Sequence, residues 1–112
     1  MIYISDQLWK IEGKHLVTKG NRWQSNDSWT FSNLNGTFAH IKNTSNKTVL
    51  AETDNFVVDE GILNQNDSQQ KWMKGVENSE GYFTLTNVYS QKVLTATSKD
   101  SLETKGIKWI MI

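Results

Sequence analysis

The chain states one short phrase twice, and that repetition constrains its fold more than any other feature. Gly36-Thr-Phe-Ala-His-Ile-Lys-Asn43 leads into Ser45-Asn-Lys47-Thr-Val-Leu50-Ala51, and Gly81-Tyr-Phe-Thr-Leu-Thr-Asn87 leads into Ser90-Gln-Lys92-Val-Leu94-Thr-Ala96. Each phrase runs on to a tryptophan, Trp72 after the first and Trp109 after the second, and Gln70-Lys-Trp72 spells a Gln-x-Trp ending. A recurring unit of this length does not bury its own apolar face and must stack on its copies.

The units read as strands and turns. Phe38, Ile41, Val49 and Leu50 sit among Thr and Lys in short runs, as do Phe83, Leu85, Val93 and Leu94, and Asn, Ser, Gly and Asp clusters separate the runs. Such runs are strands joined by tight turns. Tyr82 to Thr86 alternates, which places Phe83 and Leu85 on one face and Thr84 on the other. Residues 69–76 are the one stretch with some helical character, and the recurrence of Trp72 with Trp109 assigns them to a strand.

The first third holds the third copy in degraded form, and two registers fit it. In one, Gly13-Lys14-His-Leu16-Val17-Thr18 matches the Lys-x-Val/Leu-Leu-Ala strand and Trp29 matches the closing tryptophan. In the other, Gln7-Leu-Trp9 is a Gln-x-Trp ending carried over from the carboxy-terminal copy, and the chain ends pair near Tyr3 and Ile4 to close the structure.

Composition removes several function classes. The 112 residues make one domain, residues 1–112, large enough for a core without staples. With no cysteine there is no disulfide and no thiolate metal site. Twelve basic and twelve acidic side chains cancel and are scattered, which leaves no field for a phosphate backbone or an anionic bilayer. Nucleic acid and membrane insertion are therefore not expected. The amino terminus lacks the basic start and apolar run of a secretory signal, so the sequence reads as soluble and cytoplasmic, with secretion the alternative if a leader has been removed. Asn-x-Ser/Thr triplets at Asn26, Asn35, Asn43, Asn46 and Asn66 are what chance supplies in a chain this rich in those residues.

Three copies of a four-strand unit suggest an all-β closed barrel, because closure removes exposed sheet edges. At the aromatic-x-Ile/Leu-x-Asn strand, the Ser-x-Lys-x-Leu strand and the Gln-x-Trp ending, the chain resembles the β-trefoil domains of the ricin B-type lectin family. The resemblance is strong from Gly36 to Trp109 and weak from Gln7 to Phe31. It implies three pseudo-repeats, roughly 1–35, 36–78 and 79–112, of which the first is degenerate.

The resemblance also implies shallow glycan sites built from an acid that grips two hydroxyls, a ring stacked on the sugar and an amide. Here the aspartate that typically follows the Lys-x-Leu strand is replaced by Ala51, Thr95 and, in the degraded copy, Val17. Substitutes are Asp54 or Glu52 as the acid, Phe56 as the ring, and Asn64, Asp67 and Gln70 for the remaining polar contacts. Each has a plainer reading as turn, plug or structural amide. Asp100 and Tyr89 offer similar parts in the third unit. Trp23 belongs to no repeated position, and it is either a stacking platform or a plug that fills the shortened first repeat. Trp9, Trp29, Trp72 and Trp109 read as core.

Catalysis finds little support. His15 and His40 are the only histidines and have no metal-site spacing, no phosphate loop or nucleophile elbow occurs, and Asp59-Glu60 alternate faces on a strand. No cofactor and no metal are expected. The expected activity is binding of a glycan or glycoconjugate through shallow loop sites. The alternative is a protein-interaction scaffold, such as a protease inhibitor, whose loops project from a rigid barrel.

Overall fold

The computed structural model describes residues 8–19, 23, 25, 27–35 and 38–106. The fold is all-β. Its strands are β1 (Trp9–Glu12), β2 (His15–Thr18), β3 (Trp29–Asn35), β4 (Phe38–Asn43), β5 (Val49–Glu52), β6 (Val57–Gly61), β7 (Trp72–Lys74), β8 (Leu85–Asn87), β9 (Val93–Ser98) and β10 (Ser101–Lys105). The helical elements among the described residues are two single 3-10 turns, Asp54–Phe56 and Ser68–Gln70.

Seven strands form a ring. β4, β5, β6, β10, β9, β8 and β7 are hydrogen-bonded in that order, and β7 returns to β4. β3 pairs on β4, while β1 and β2 form their own ribbon, joined to the ring where Trp9 bridges Phe83.

One junction occurs three times. Trp9 faces Thr18, Trp29 faces Asn43, and Trp72 faces Asn87. Beside each pair a backbone N–H reaches the carbonyl just before the tryptophan: Lys19 to Leu8 at 3.0 Å, Thr44 to Ser28 at 2.8 Å, and Val88 to Lys71 at 2.9 Å. Leu16, Ile41 and Leu85 take matching places two residues earlier on the facing strand, and all three are fully buried.

This geometry decides between the two registers for the first third. Leu16 is the counterpart of Ile41 and Leu85, so the expectation that it matches Leu50 and Leu94 is corrected. Thr18 stands where the later copies carry Asn43 and Asn87, which hides the match in the sequence. Trp9 Nε1 donates to the Leu94 carbonyl at 2.9 Å, as Trp72 Nε1 donates to the Leu50 carbonyl at 3.0 Å. Trp9 thus ends the carboxy-terminal unit. The anticipated pairing near Tyr3 and Ile4, and the place of Trp109, lie outside the described residues.

The asparagines that end the repeated phrase are buried and tie the turns that follow. Asn87 Oδ1 accepts from the backbone N–H groups of Tyr89 and Ser90 at 3.0 and 3.3 Å, and its Nδ2 donates to the Gln69 carbonyl at 2.9 Å. Asn43 Oδ1 accepts from the Ser45 N–H at 2.9 Å. A buried amide that satisfies both ends in this way stabilises a loop that would otherwise leave backbone groups unpaired.

The core gathers Trp9, Trp29, Trp72, Leu16, Ile41, Leu50, Phe83, Leu85 and Leu94. Phe83 and Leu85 are buried while Thr84 and Thr86 are half-buried, in keeping with the alternation of that segment. No hairpin comparable to β5–β6 or β9–β10 lies between β2 and β3 among the described residues. Trp23 occupies that gap, edge-on to Trp9 at 5.7 Å and to Trp29 at 5.9 Å between ring centroids.

Candidate functional site

The β5–β6 hairpin carries the most exposed arrangement of a ring and an acid. Thr53 closes its base, with both N–H and hydroxyl on the Val57 carbonyl at 2.6 and 2.8 Å. At the tip, Asn55 and Phe56 both hold left-handed backbone conformations, φ 61° and 63°. Asn tolerates that region, whereas a bulky ring there costs on the order of 1–3 kcal/mol. Phe56 nevertheless leaves 48 % of its surface in solvent. The Asp54 carboxylate beside it is exposed and has no hydrogen bond or ion pair among the described residues.

Lys92 completes this surface from the neighbouring unit. Its ammonium sits 4.7 Å from the Phe56 ring centroid, in cation–π range. Lys92 follows the turn tied by Asn87, on which Tyr89 is also exposed. The sequence offered no route to this contact, since it depends on two units meeting side by side.

The remaining polar candidates build a loop. Gln70 is buried; its Oε1 accepts from the Asn64 N–H at 2.7 Å and its Nε2 donates to the Ile62 carbonyl at 2.8 Å. Asn64 Oδ1 accepts from the Asn66 N–H at 3.1 Å, and Asp67 Oδ1 caps the 3-10 turn by accepting from the Gln69 N–H at 2.9 Å. These are the turn and structural-amide roles. Glu52 is buried too, and the Thr104 hydroxyl donates to its Oε1, so it links two hairpins and does not present its acid to solvent.

The position that the resemblance reserves for an aspartate is now placed. Ala51 lies opposite Asp59 across the β5–β6 ladder, and Thr95 lies opposite Glu103 across β9–β10. Directly opposed residues share a sheet face. In both hairpins an acid therefore stands across from the vacated position. Val17 does not belong to that set, because β2 corresponds to β4 and β8.

Trp23 is a plug. It is 9 % exposed, and the edges of two indoles pack against it, so the stacking platform expected at this residue is corrected. Trp29 Nε1 donates to Ser25 Oγ at 3.1 Å, which replaces the hairpin carbonyl that Trp9 and Trp72 use. Trp23 and Trp29 border a small cleft of about 90 Å³ whose rim includes Asp59, Glu60 and Asp100. Asp59 and Glu60 both border this cleft, and they lie opposite the successive residues Ala51 and Leu50 of β5, which keeps the alternation expected of a strand. Glu60 Oε1 is committed there: it accepts from Asn43 Nδ2 at 3.1 Å, from Asn46 Nδ2 at 3.3 Å and from the Thr48 hydroxyl. Among the described residues no three His, Asp or Glu side chains are grouped to hold a metal.

Residues 25–109 match the family described as ricin-type beta-trefoil lectin domain-like. The match spans the ring, its hairpins and the tryptophan junctions at Trp29 and Trp72, and the chain belongs to that family. No curated protein matches the chain. Among the described residues no helix is long and apolar enough to cross a membrane.

Proposed function

We propose that the chain is a β-trefoil carbohydrate-binding module that recognises a glycan through the tip of the β5–β6 hairpin, without catalysis. Its three units are those of the recurring tryptophan junction, with β2 and β3 the strands of the first among the described residues. The observation that carries the proposal is Phe56. An aromatic ring half-exposed at a turn tip, in a backbone conformation that disfavours it, is poorly explained by folding alone.

A ring face takes the C–H patch of a sugar, and a carboxylate accepts from two adjacent hydroxyls. Phe56 supplies the first and Asp54 the second. Lys92 covers part of the ring and orients it. Asp59, across from Ala51, adds an acceptor nearer the base of the hairpin. Asn64, Asp67 and Gln70 support the loop behind.

A partner protein is the second reading, and the apolar surface of Phe56 and Val57, 48 % and 43 % exposed, favours it. The two separate on a glycan panel with Phe56→Gly and Asp54→Asn run beside the unaltered chain. Glycine relieves the backbone strain at this position, so the variant folds at least as well. Selective binding lost in both variants supports the glycan reading. Silence of the folded chain across a diverse panel refutes it.

A further inference from the structure

The first unit carries a groove on its surface, away from the hairpin tip. Its origin is a break in strand pairing. In the second unit β4 and β7 pair at two successive positions, Ala39 with Trp72 and Phe38 with Met73. In the first unit the equivalent strands are β2 and β3, and the Trp29 N–H reaches the Lys14 carbonyl at 2.9 Å. One residue further, Gly13 at φ 66° turns the chain back into β1. Thr30 and Phe31 then have no strand alongside them on that edge among the described residues.

The gap is a groove of about 550 Å³, within the usual size of small-ligand sites. Ile11, Trp29 and Phe31 form its apolar part, and Thr30 and Thr44 bring exposed hydroxyls to it. Among the described residues Lys14 is the one charged residue in the lining, and no carboxylate lines the groove. Glu12, the nearest acid in sequence, is held by Lys10 at 3.1 Å. The Lys14 ammonium is exposed and has no ion pair among the described residues.

Ring surface, hydroxyls and a single unneutralised cation form a set complementary to a polyhydroxylated anion. We infer that the groove between β2 and β3 binds an acidic saccharide of the hexuronate class. Its carboxylate pairs with Lys14, its C–H face lies on Phe31, and its hydroxyls reach Thr30 and Thr44. The inference rests on the reading of the chain as a saccharide binder but uses a different site.

The test is calorimetric titration of the full chain with digalacturonate and with its dimethyl ester, which keeps the shape and loses the charge. Digalacturonate is expected to bind at least about ten-fold more tightly than the ester, the worth of one charge-assisted contact. Lys14→Gln should bring digalacturonate down to the level of the ester and leave the ester unchanged, while Phe56→Gly should leave both unchanged. Equal affinity for acid and ester, no effect of Lys14→Gln, or no binding at all overturns the inference. Loss of digalacturonate binding in Phe56→Gly moves the anion to the hairpin tip and also overturns it. A neutral glycan that binds and is lost in Phe56→Gly, beside a silent groove, overturns this inference alone and leaves the hairpin site standing.

Discussion

Trp9 and Leu94 stand 85 residues apart in the chain and are joined by one hydrogen bond, from indole Nε1 to carbonyl oxygen at 2.9 Å. Both are completely buried. A buried indole N–H must find an acceptor, and a hairpin carbonyl left without one costs about as much. This bond lets the amino-terminal segment finish the carboxy-terminal unit, and the Trp72 to Leu50 bond does the same within the second.

Trp9→Phe should therefore lower the free energy of unfolding by about 1–3 kcal/mol, because a ring remains while the Leu94 carbonyl loses its donor. Trp72→Phe should fall in the same range. Urea unfolding with an unchanged m value measures both. A loss in Trp9→Phe far smaller than in Trp72→Phe would show that the carboxy-terminal unit is closed by something other than Trp9.

Trp23→Ala should cost about 3–5 kcal/mol, the range for a large aromatic removed from a packed site. The same denaturation experiment decides it. A ring on a ligand-facing surface would leave stability within about 0.5 kcal/mol of the unaltered chain.

Asn43 holds two carboxylates on one amide, with Nδ2 donating to Asp27 Oδ2 at 2.9 Å and to Glu60 Oε1 at 3.1 Å. Asn43→Ala should lose at least about 2 kcal/mol, since the Ser45 N–H and both acids lose a partner at a fully buried position. Added salt should restore part of that loss by screening the acids from one another. Thermal melts at low and high ionic strength test this, and a salt-independent loss would argue against carboxylate repulsion.

The strands, the alternation at Phe83 and Leu85 and the core roles of Trp9, Trp29 and Trp72 were legible in the sequence, because apolar spacing is set by burial. The first unit was not. Thr18 replaces the asparagine that marks the junction elsewhere, and Ser25 Oγ replaces a backbone carbonyl, so neither leaves a recurring letter. The plain roles of Asn64, Asp67 and Gln70 were readable as turn chemistry. The Lys92 contact to Phe56 and the placement of Asp59 opposite Ala51 were not, since they follow from how units meet and from hairpin register.

His40 is buried and its Nε2 has no hydrogen-bond partner among the described residues. Burial, with Lys71 and Lys42 nearby, holds its pKa below the ordinary value of 6.5. A depressed folded-state pKa means that the unfolded chain takes up the proton first. Its contribution is thus fully present above pH 6.5 and is lost as pH falls from 6.5 toward the folded-state value. Stability should decline as pH falls below about 6.5, beginning above the range in which ordinary carboxylates titrate. His40→Thr, which places there the residue type that Thr84 supplies in the third unit, should flatten that slope. A slope unchanged in the variant would assign it to other groups.

The most direct test of the account is backbone amide shift mapping by NMR, with the full chain titrated by whichever neutral glycan wins the panel. The account predicts shifts clustered at residues 53–57 and 88–92, and their loss in Phe56→Gly. Shifts centred elsewhere, or a cluster that survives Phe56→Gly, would contradict the hairpin-tip site.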